Sequence, residues 1–234
     1  MSLIYRIISK IIVGIELMIK DVVNPYRVKG KVKYFCVGRN KTGTTSLKKS
    51  FEDLGFIVGN QRKGEKLFDK YFFDGEYTHI INYCRSAEVF QDVPFSHFEV
   101  IEHIDKAYPN SKYILTIRDN SDQWYNSLTK FHSKLFGKNG RIPSYEDLEK
   151  AIYIRKGFQL NTIKAHGTTP AAPYDKEIMC KHYEAHNKSV IEYFKDRPQD
   201  LLVINLSDRQ AYQKFIDFIE VDSPFDAFPW ENKT

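Results

Sequence analysis

The segment from Tyr34 to Leu54 constrains this chain more than any other. Tyr34-Phe35-Cys36-Val37 is a short apolar run ending at Gly38, the pattern of a strand buried on both faces. Leu47, Phe51 and Leu54 then recur at helical spacing, and Gly55 closes that helix. Between strand and helix lies Gly38-Arg39-Asn40-Lys41-Thr42-Gly43-Thr44-Thr45-Ser46. A glycine-containing turn that opens a helix presents backbone N–H groups and a positive dipole end to an anion. Gly43 lets the backbone approach closely, and the hydroxyls of Thr44, Thr45 and Ser46 add donors. An ATP-type loop would read Gly, four residues, then Gly-Lys-Ser/Thr. Here the residue after Gly43 is Thr44, and Lys41 comes two positions before the glycine.

The alternation continues downstream. A second strand is expected over residues 87–91, and Phe98, Ile101, Ile104 and Tyr108 mark one face of a helix that stops at Pro109. Residues 112–117 read as a third strand, followed by a helix through Trp124 and Leu128, with Trp124 in the core. Residues 179–194 are helical, residues 201–206 form a strongly apolar strand, and Tyr212, Phe215, Ile216 and Ile219 line a last helix. Strands alternating with helices imply a parallel sheet covered on both faces. From about residue 131 to residue 173 the periodicity weakens, which marks a variable helical insert.

The 234 residues suit one α/β domain, and 42% hydrophobic content supplies its core. The net charge of +5 fits an anionic ligand. No dense Lys/Arg run or finger motif accompanies it, which argues against nucleic acid. Cys36, Cys84 and Cys180 form neither a disulfide framework nor a metal knuckle, so a reducing, cytoplasmic setting is expected. From Leu3 to Val23 apolar residues dominate, broken by Arg6, Lys10, Glu16 and Lys20. Those charges disfavour a spanning helix, and no small-residue cleavage site follows. Residues 1–24 read instead as an amphipathic helix with a wide apolar face, ended by Asn24-Pro25. It would lie peripherally on a membrane, or pack on the domain or on a second subunit as a dimer contact. The main domain begins near Lys31 and runs to residue 234.

Lys41-Thr42-Gly43-Thr44-Thr45-Ser46 resembles the loop with which the sulfotransferase superfamily grips the 5′-phosphosulfate of 3′-phosphoadenosine 5′-phosphosulfate (PAPS), typically Lys-Ser/Thr-Gly-Thr-Thr. The resemblance implies a P-loop NTPase-like three-layer α/β/α fold, PAPS as co-substrate and no required metal. It puts Arg39, Lys41, Thr42, Gly43, Thr44, Thr45 and Ser46 at the donor. A 3′-phosphate needs a second anion pocket. Arg118 ends the strand Tyr113-Ile114-Leu115-Thr116-Ile117, where ligands sit in open α/β sheets, and a guanidinium grips phosphate bidentately. The family pairs such an Arg with a Ser in the next helix. The gap is one residue longer here, so Ser127 matches by its Trp124-Tyr125 context and Asn126 by spacing, with Ser127 preferred. The competing reading makes Arg118 a surface ion-pair partner of Asp119 or Asp122. Arg155-Lys156-Gly157 matches a triplet that cytosolic members use on the 3′-phosphate. It precedes the last strand instead of following it, and reads as a solvated helix face. His182 to Asn187, residues 201–204 and Phe228 to Asn232 resemble the ending of many members, which leaves His186 and Asn232 without an assigned role.

In sulfuryl transfer, an in-line displacement, positioning and charge stabilisation supply most of the catalysis. Lys41 would stabilise charge growing on the leaving phosphate oxygen. Asp92, ending the second strand before Val93-Pro94, stands where cytosolic relatives carry a catalytic His and other branches a carboxylate. Asp92 is the expected base and His97 the reserve; alternatively Asp92 makes a turn or caps a helix starting near Phe95. The leading expectation is an enzyme that sulfates a hydroxyl or amine of a small-molecule or glycan acceptor (carbohydrate, lipid or metabolite). The competing ones are a P-loop nucleotide-dependent kinase, and a catalytically silent anion- or membrane-binding module on the same fold.

Overall fold

The computed structural model describes Ile19 and residues 22–229. Its strands are β1 (Tyr34–Cys36), β2 (Val89–Gln91), β3 (Lys112–Thr116) and β4 (Leu201–Ile204), all parallel, in the order β2-β1-β3-β4. Successive side chains of a strand point to opposite faces. Phe35 and Val37 join Phe90, Tyr113 and Leu115 on one face, whereas Tyr34 and Cys36 join Val89, Ile114 and Ile204 on the other. The first face is covered by α4 (Phe98–Ala107) and α8 (Lys176–Tyr193), through Val100, Ile101, Ile104 and Val190. The second is covered by α1 (Thr44–Asp53) and α9 (Ala211–Ile219), through Leu47, Phe51, Phe215 and Ile216. This is the three-layer α/β/α architecture with a central parallel sheet.

Three boundaries differ from expectation. Asn24-Pro25 does not end the first helix: residues 22–27 are helical, and Val28 N donates to the Asn24 carbonyl at 3.0 Å. A proline lacks a donor of its own, but residues after it can still donate, as Val28 does here. The helix expected near Phe95 begins at Phe98, after Ser96 N has closed a turn onto the Asp92 carbonyl. The strand expected over residues 201–206 stops at Ile204, and it lies at a sheet edge, where Val203 stays 37% exposed. The rest of the expected N-terminal amphipathic helix, and Trp230-Glu231-Asn232, lie outside the described residues.

Two regions carry more structure than the periodicity showed. Between α1 and β2 run α2 (Gln61–Leu67), a π-helical turn (Phe68–Phe72) and α3 (Thr78–Tyr83). Asn60 caps α2 by accepting from Lys63 N at 3.2 Å. After β3, α5 (Ser121–Phe136) runs past residue 131, so the expected insert starts inside a helix. The insert continues through α6 (Tyr145–Lys150) and α7 (Asn161–His166). These pack on α5 and α8 around Trp124, Leu148, Ile163, Met179 and Tyr183. Arg155-Lys156-Gly157 lies in a tight loop and not on a helix face, with Ile152 bridged to Lys156. Arg155 is held bidentately there by Asp69, both bonds at 2.7 Å.

The strand order fixes where a ligand can sit. From β1 the chain leaves toward β2, and from β3 it leaves toward β4, on the opposite side. The crevice between the carboxyl ends of β1 and β3 is therefore the switch point at which open parallel sheets bind ligands.

Candidate active site

The loop after β1 and the end of β3 are welded together at that crevice. A Cβ on Gly38 would stand 2.1 Å from Thr116 Oγ1 and 2.6 Å from the Thr116 carbonyl, so only glycine fits. Thr42 Oγ1 meets Thr116 Oγ1 at 2.6 Å and donates to the Arg39 carbonyl at 2.5 Å. The Thr42 side chain is thus spent inside the protein, and it does not line the cavity. Arg118 Nε donates to the Lys41 carbonyl at 2.8 Å, while Trp124 Nε1 donates to the Asn40 carbonyl at 3.0 Å. Trp124 is fully buried, as expected, and braces the loop as well. Gly43 (φ 102°) provides the turn into α1, and an added Cβ would lie 2.7 Å from Leu206 Cδ2. Glycine offers no side-chain cap, so α1 opens onto the cavity with the positive end of its dipole.

A cavity of about 410 Å³ opens over this loop. Arg39, Lys41, Gly43, Thr44, Thr45, Ser46, Asp92, His97 and Arg118 all reach it, so the switch point gathers most of the residues picked from the sequence. Ser127 does not line it, but its Oγ is buried and makes no hydrogen bond among the described residues. Arg118 forms no ion pair among the described residues: Asp119 accepts from Gln123 and Asn205, and Asp122 pairs with Lys176. The backbone N of Arg118 is tied to Tyr183 Oη at 2.9 Å.

Lys41 and Asp92 are two of the five non-glycine residues with positive φ among the described residues, at 69° and 63°. Such backbone is costly for an ordinary side chain and clusters at active sites. Lys41 Nζ lies 3.9 Å from the centre of the Phe131 ring, a cation–π contact on α5. Burial lowers the Lys41 pKa first, the Arg118 charge lowers it further, and Asp92 pulls it back up.

Asp92 directly follows β2 and is held from two sides. Val93 N donates to its Oδ1 at 2.9 Å, and Gln61 Nε2 donates to its Oδ2 at 3.2 Å. Gln61 is itself fixed by Gln91 Nε2 at 3.1 Å and by Glu65, whose Oε1 also accepts from Tyr153 Oη at 2.8 Å. Burial pushes Asp92 up to about 6; the Val93 N–H opposes this, and the buried Glu65 adds to it. The carboxyl therefore changes charge close to neutral pH, as a general base should. His97 is placed differently. It is buried against Phe68 and Phe72, with ring centres 5.0 and 4.7 Å away, and Arg39 Nη1 lies 3.1 Å from its Nδ1. Burial, and then Arg39, hold it well below the usual histidine range.

Gln61, Glu65, Tyr153, His132, His166 and His182 were not singled out in the sequence. All but His182 line the cavity, and His182 is hydrogen-bonded to Arg39. The Asn60 cap was a signal for α2, and His182 and His186 share the i,i+4 spacing of one helix face. His186 Nε2 lies 2.8 Å from the Val37 carbonyl, so it anchors α8 to the end of β1. The opposite cavity wall comes from the insert: Phe131, Phe136, Tyr153 and Phe158 give it an aromatic lining.

Among the described residues no group of three or more His, Cys, Asp and Glu could hold a metal ion, and no helix is long and apolar enough to cross a membrane. No curated protein matches the chain. The family model described as a sulfotransferase domain matches residues 33–234, beginning one residue before β1 and taking in all four strands and α1 to α9. The chain belongs to the sulfotransferase domain family.

Proposed function

We propose that the protein transfers a sulfuryl group from PAPS to a hydroxyl or amine of a small-molecule or glycan acceptor. The observation that carries this reading is the convergence of Lys41, Arg118 and the amino end of α1 on one crevice, with Asp92 facing the same cavity. The loop from Lys41 to Ser46, with Gly43 at its turn, would hold the 5′-phosphosulfate. Arg118 and Ser127 would hold the 3′-phosphate, since the guanidinium has no acidic partner among the described residues and the hydroxyl is buried with its bonding capacity unspent. The acceptor oxygen or nitrogen attacks sulfur, and the bond from sulfur to the bridging oxygen of the 5′-phosphate breaks. Adenosine 3′,5′-bisphosphate leaves, with Lys41 stabilising the charge on its oxygen, and the acceptor's proton passes to Asp92. The aromatic wall from the insert would set which acceptors enter.

Calorimetry tests the donor assignment. Adenosine 3′,5′-bisphosphate should bind, without magnesium, at least about a hundredfold more tightly than ATP or AMP. A preference for ATP with magnesium would instead establish the kinase reading. Bisphosphate binding with no turnover across a broad hydroxyl and amine panel would point to a silent binding module.

A further inference from the structure

Arg39 is 4% exposed, yet it lines the cavity. Its Nη1 lies 3.1 Å from His97 Nδ1, its Nη2 is hydrogen-bonded to His182 Nε2, and its buried Nε makes no hydrogen bond among the described residues. No carboxylate among the described residues pairs with it; Glu99, the acid whose charge acts on it, sits on the exposed side of α4. Burial lowers the guanidinium only to about 10, so it stays charged at neutral pH. A charge withdrawn from water without a counter-charge is costly, and breaking such a pair costs more than never forming it.

The surrounding imidazoles supply no counter-charge. Burial and then the Arg39 charge hold His182 near 3 and His166 near 4, and both effects also depress His97. A neutral imidazole that accepts from the guanidinium at one ring nitrogen carries its proton on the other. Arg39 therefore keeps an unspent N–H at its buried Nε and a charge that neither His97, whose Nδ1 and Nε2 lie 3.1 and 3.4 Å from its Nη1, nor His182 balances, which is what an oxyanion site requires. The donor-loop cations are engaged elsewhere: Lys41 lies over Phe131, and Arg118 is tied to the Lys41 carbonyl. Arg39 instead belongs to the side of the cavity lined by His97, ahead of α4, and by His166 of α7, with His182 of α8 bracing it from behind.

We propose that Arg39, beside His97 and held in place by His182, forms a second oxyanion subsite, which takes a carboxylate, sulfate or phosphate group of the acceptor. The acceptor is then a hydroxyl or amine compound that also carries an acid. This rests on the donor assignment above only in giving PAPS the remainder of the cavity.

The test uses benzoate and its uncharged counterpart benzamide, since the cavity wall is aromatic. Each is titrated calorimetrically into the full chain saturated with adenosine 3′,5′-bisphosphate, and again with PAPS. Benzoate should bind at least about tenfold more tightly than benzamide in both states. Arg39→Met should abolish that difference while bisphosphate affinity stays within about twofold. His182→Leu, which removes one support of the guanidinium, should reduce it and serves if Arg39→Met does not fold. Equal binding of the two probes, or no benzoate binding up to ~10 mM, overturns the proposal. So does benzoate binding to the bisphosphate-loaded protein that PAPS abolishes, because the anion at Arg39 would then be the donor's own sulfuryl group. Should bisphosphate fail to bind at all, the donor assignment fails, and Arg39-dependent benzoate binding to the free chain still decides this one.

Discussion

Asp92→Asn should slow turnover and stabilise the fold at the same alkaline pH, and the two effects have one cause. Burial moves Asp92 from 3.8 to about 6, so ionising it in the folded protein costs about 3 kcal/mol more than in the unfolded chain. A raised folded pKa contributes stability that is fully present below 3.8 and is lost as pH rises through about 6. Asn cannot ionise, so the variant gains on wild type as pH rises from 3.8 to about 6 and keeps that gain above it, on top of a pH-independent offset. Part of the gain is offset, because an Asn amide facing Gln61 Nε2 loses the 3.2 Å hydrogen bond, at about 1 kcal/mol. The net expectation at pH 8 is about 2 kcal/mol of added stability, or several degrees in melting temperature for a chain of this size. Turnover should fall about 10²- to 10⁴-fold with bisphosphate affinity nearly unchanged. Wild-type kcat should decline below a break near pH 6, where the carboxyl protonates, and that break should vanish in the variant. His97→Asn should be mild by comparison, since His97 is already engaged by Arg39. Thermal denaturation across pH needs no acceptor; the kinetic arm uses any acceptor that the panel identifies. A variant that keeps most of its turnover, or a break near pH 6 that survives the substitution, refutes the assignment.

Lys41→Ala should lower kcat by about 10²- to 10³-fold, as for loss of one charge-stabilising donor, with a smaller effect on bisphosphate affinity, measured by single-turnover kinetics and calorimetry. Arg118→Ala should erase the preference for a 3′-phosphate, so that adenosine 3′,5′-bisphosphate and AMP bind alike in a competition titration. Removing residues 1–21 should abolish pelleting with anionic vesicles while bisphosphate binding persists. Loss of a dimer or of folding would show that this segment packs against protein instead.

How much of this was legible in the sequence depends on the range of the interactions involved. The step from β1 through Gly43 to α1 is local: one apolar run, one glycine at the turn, and Leu47 and Phe51 at helical spacing fix it. Arg118 could be placed because a strand's carboxyl end is also a local feature. By contrast α2 was hidden, since Arg62-Lys63-Gly64-Glu65-Lys66 carries no apolar period, although the helix supplies Gln61, which holds Asp92, and Glu65, which fixes Gln61. The strand β4 was legible as an apolar run, but its place at the sheet edge was not, because a parallel sheet sets its order by pairings between distant segments.

The environment of Arg39 shows the same limit more sharply, and it bears on function. As sequence, Arg39 is one more cation beside a phosphate loop, and adding it to the donor site is the natural step. The fold brings His97 from the turn before α4 and His182 from α8 against the guanidinium, and this enclosure is the ground on which we assign it to the acceptor's anion. None of these residues is within 50 positions of another, so no spacing rule links them. Burial then decides the chemistry, because imidazoles kept neutral cannot balance a guanidinium that remains charged. A surface arginine would be satisfied by water and would imply nothing about a ligand. The same side chain, enclosed in the wall of a cavity, carries a positive charge that only an entering anion can match.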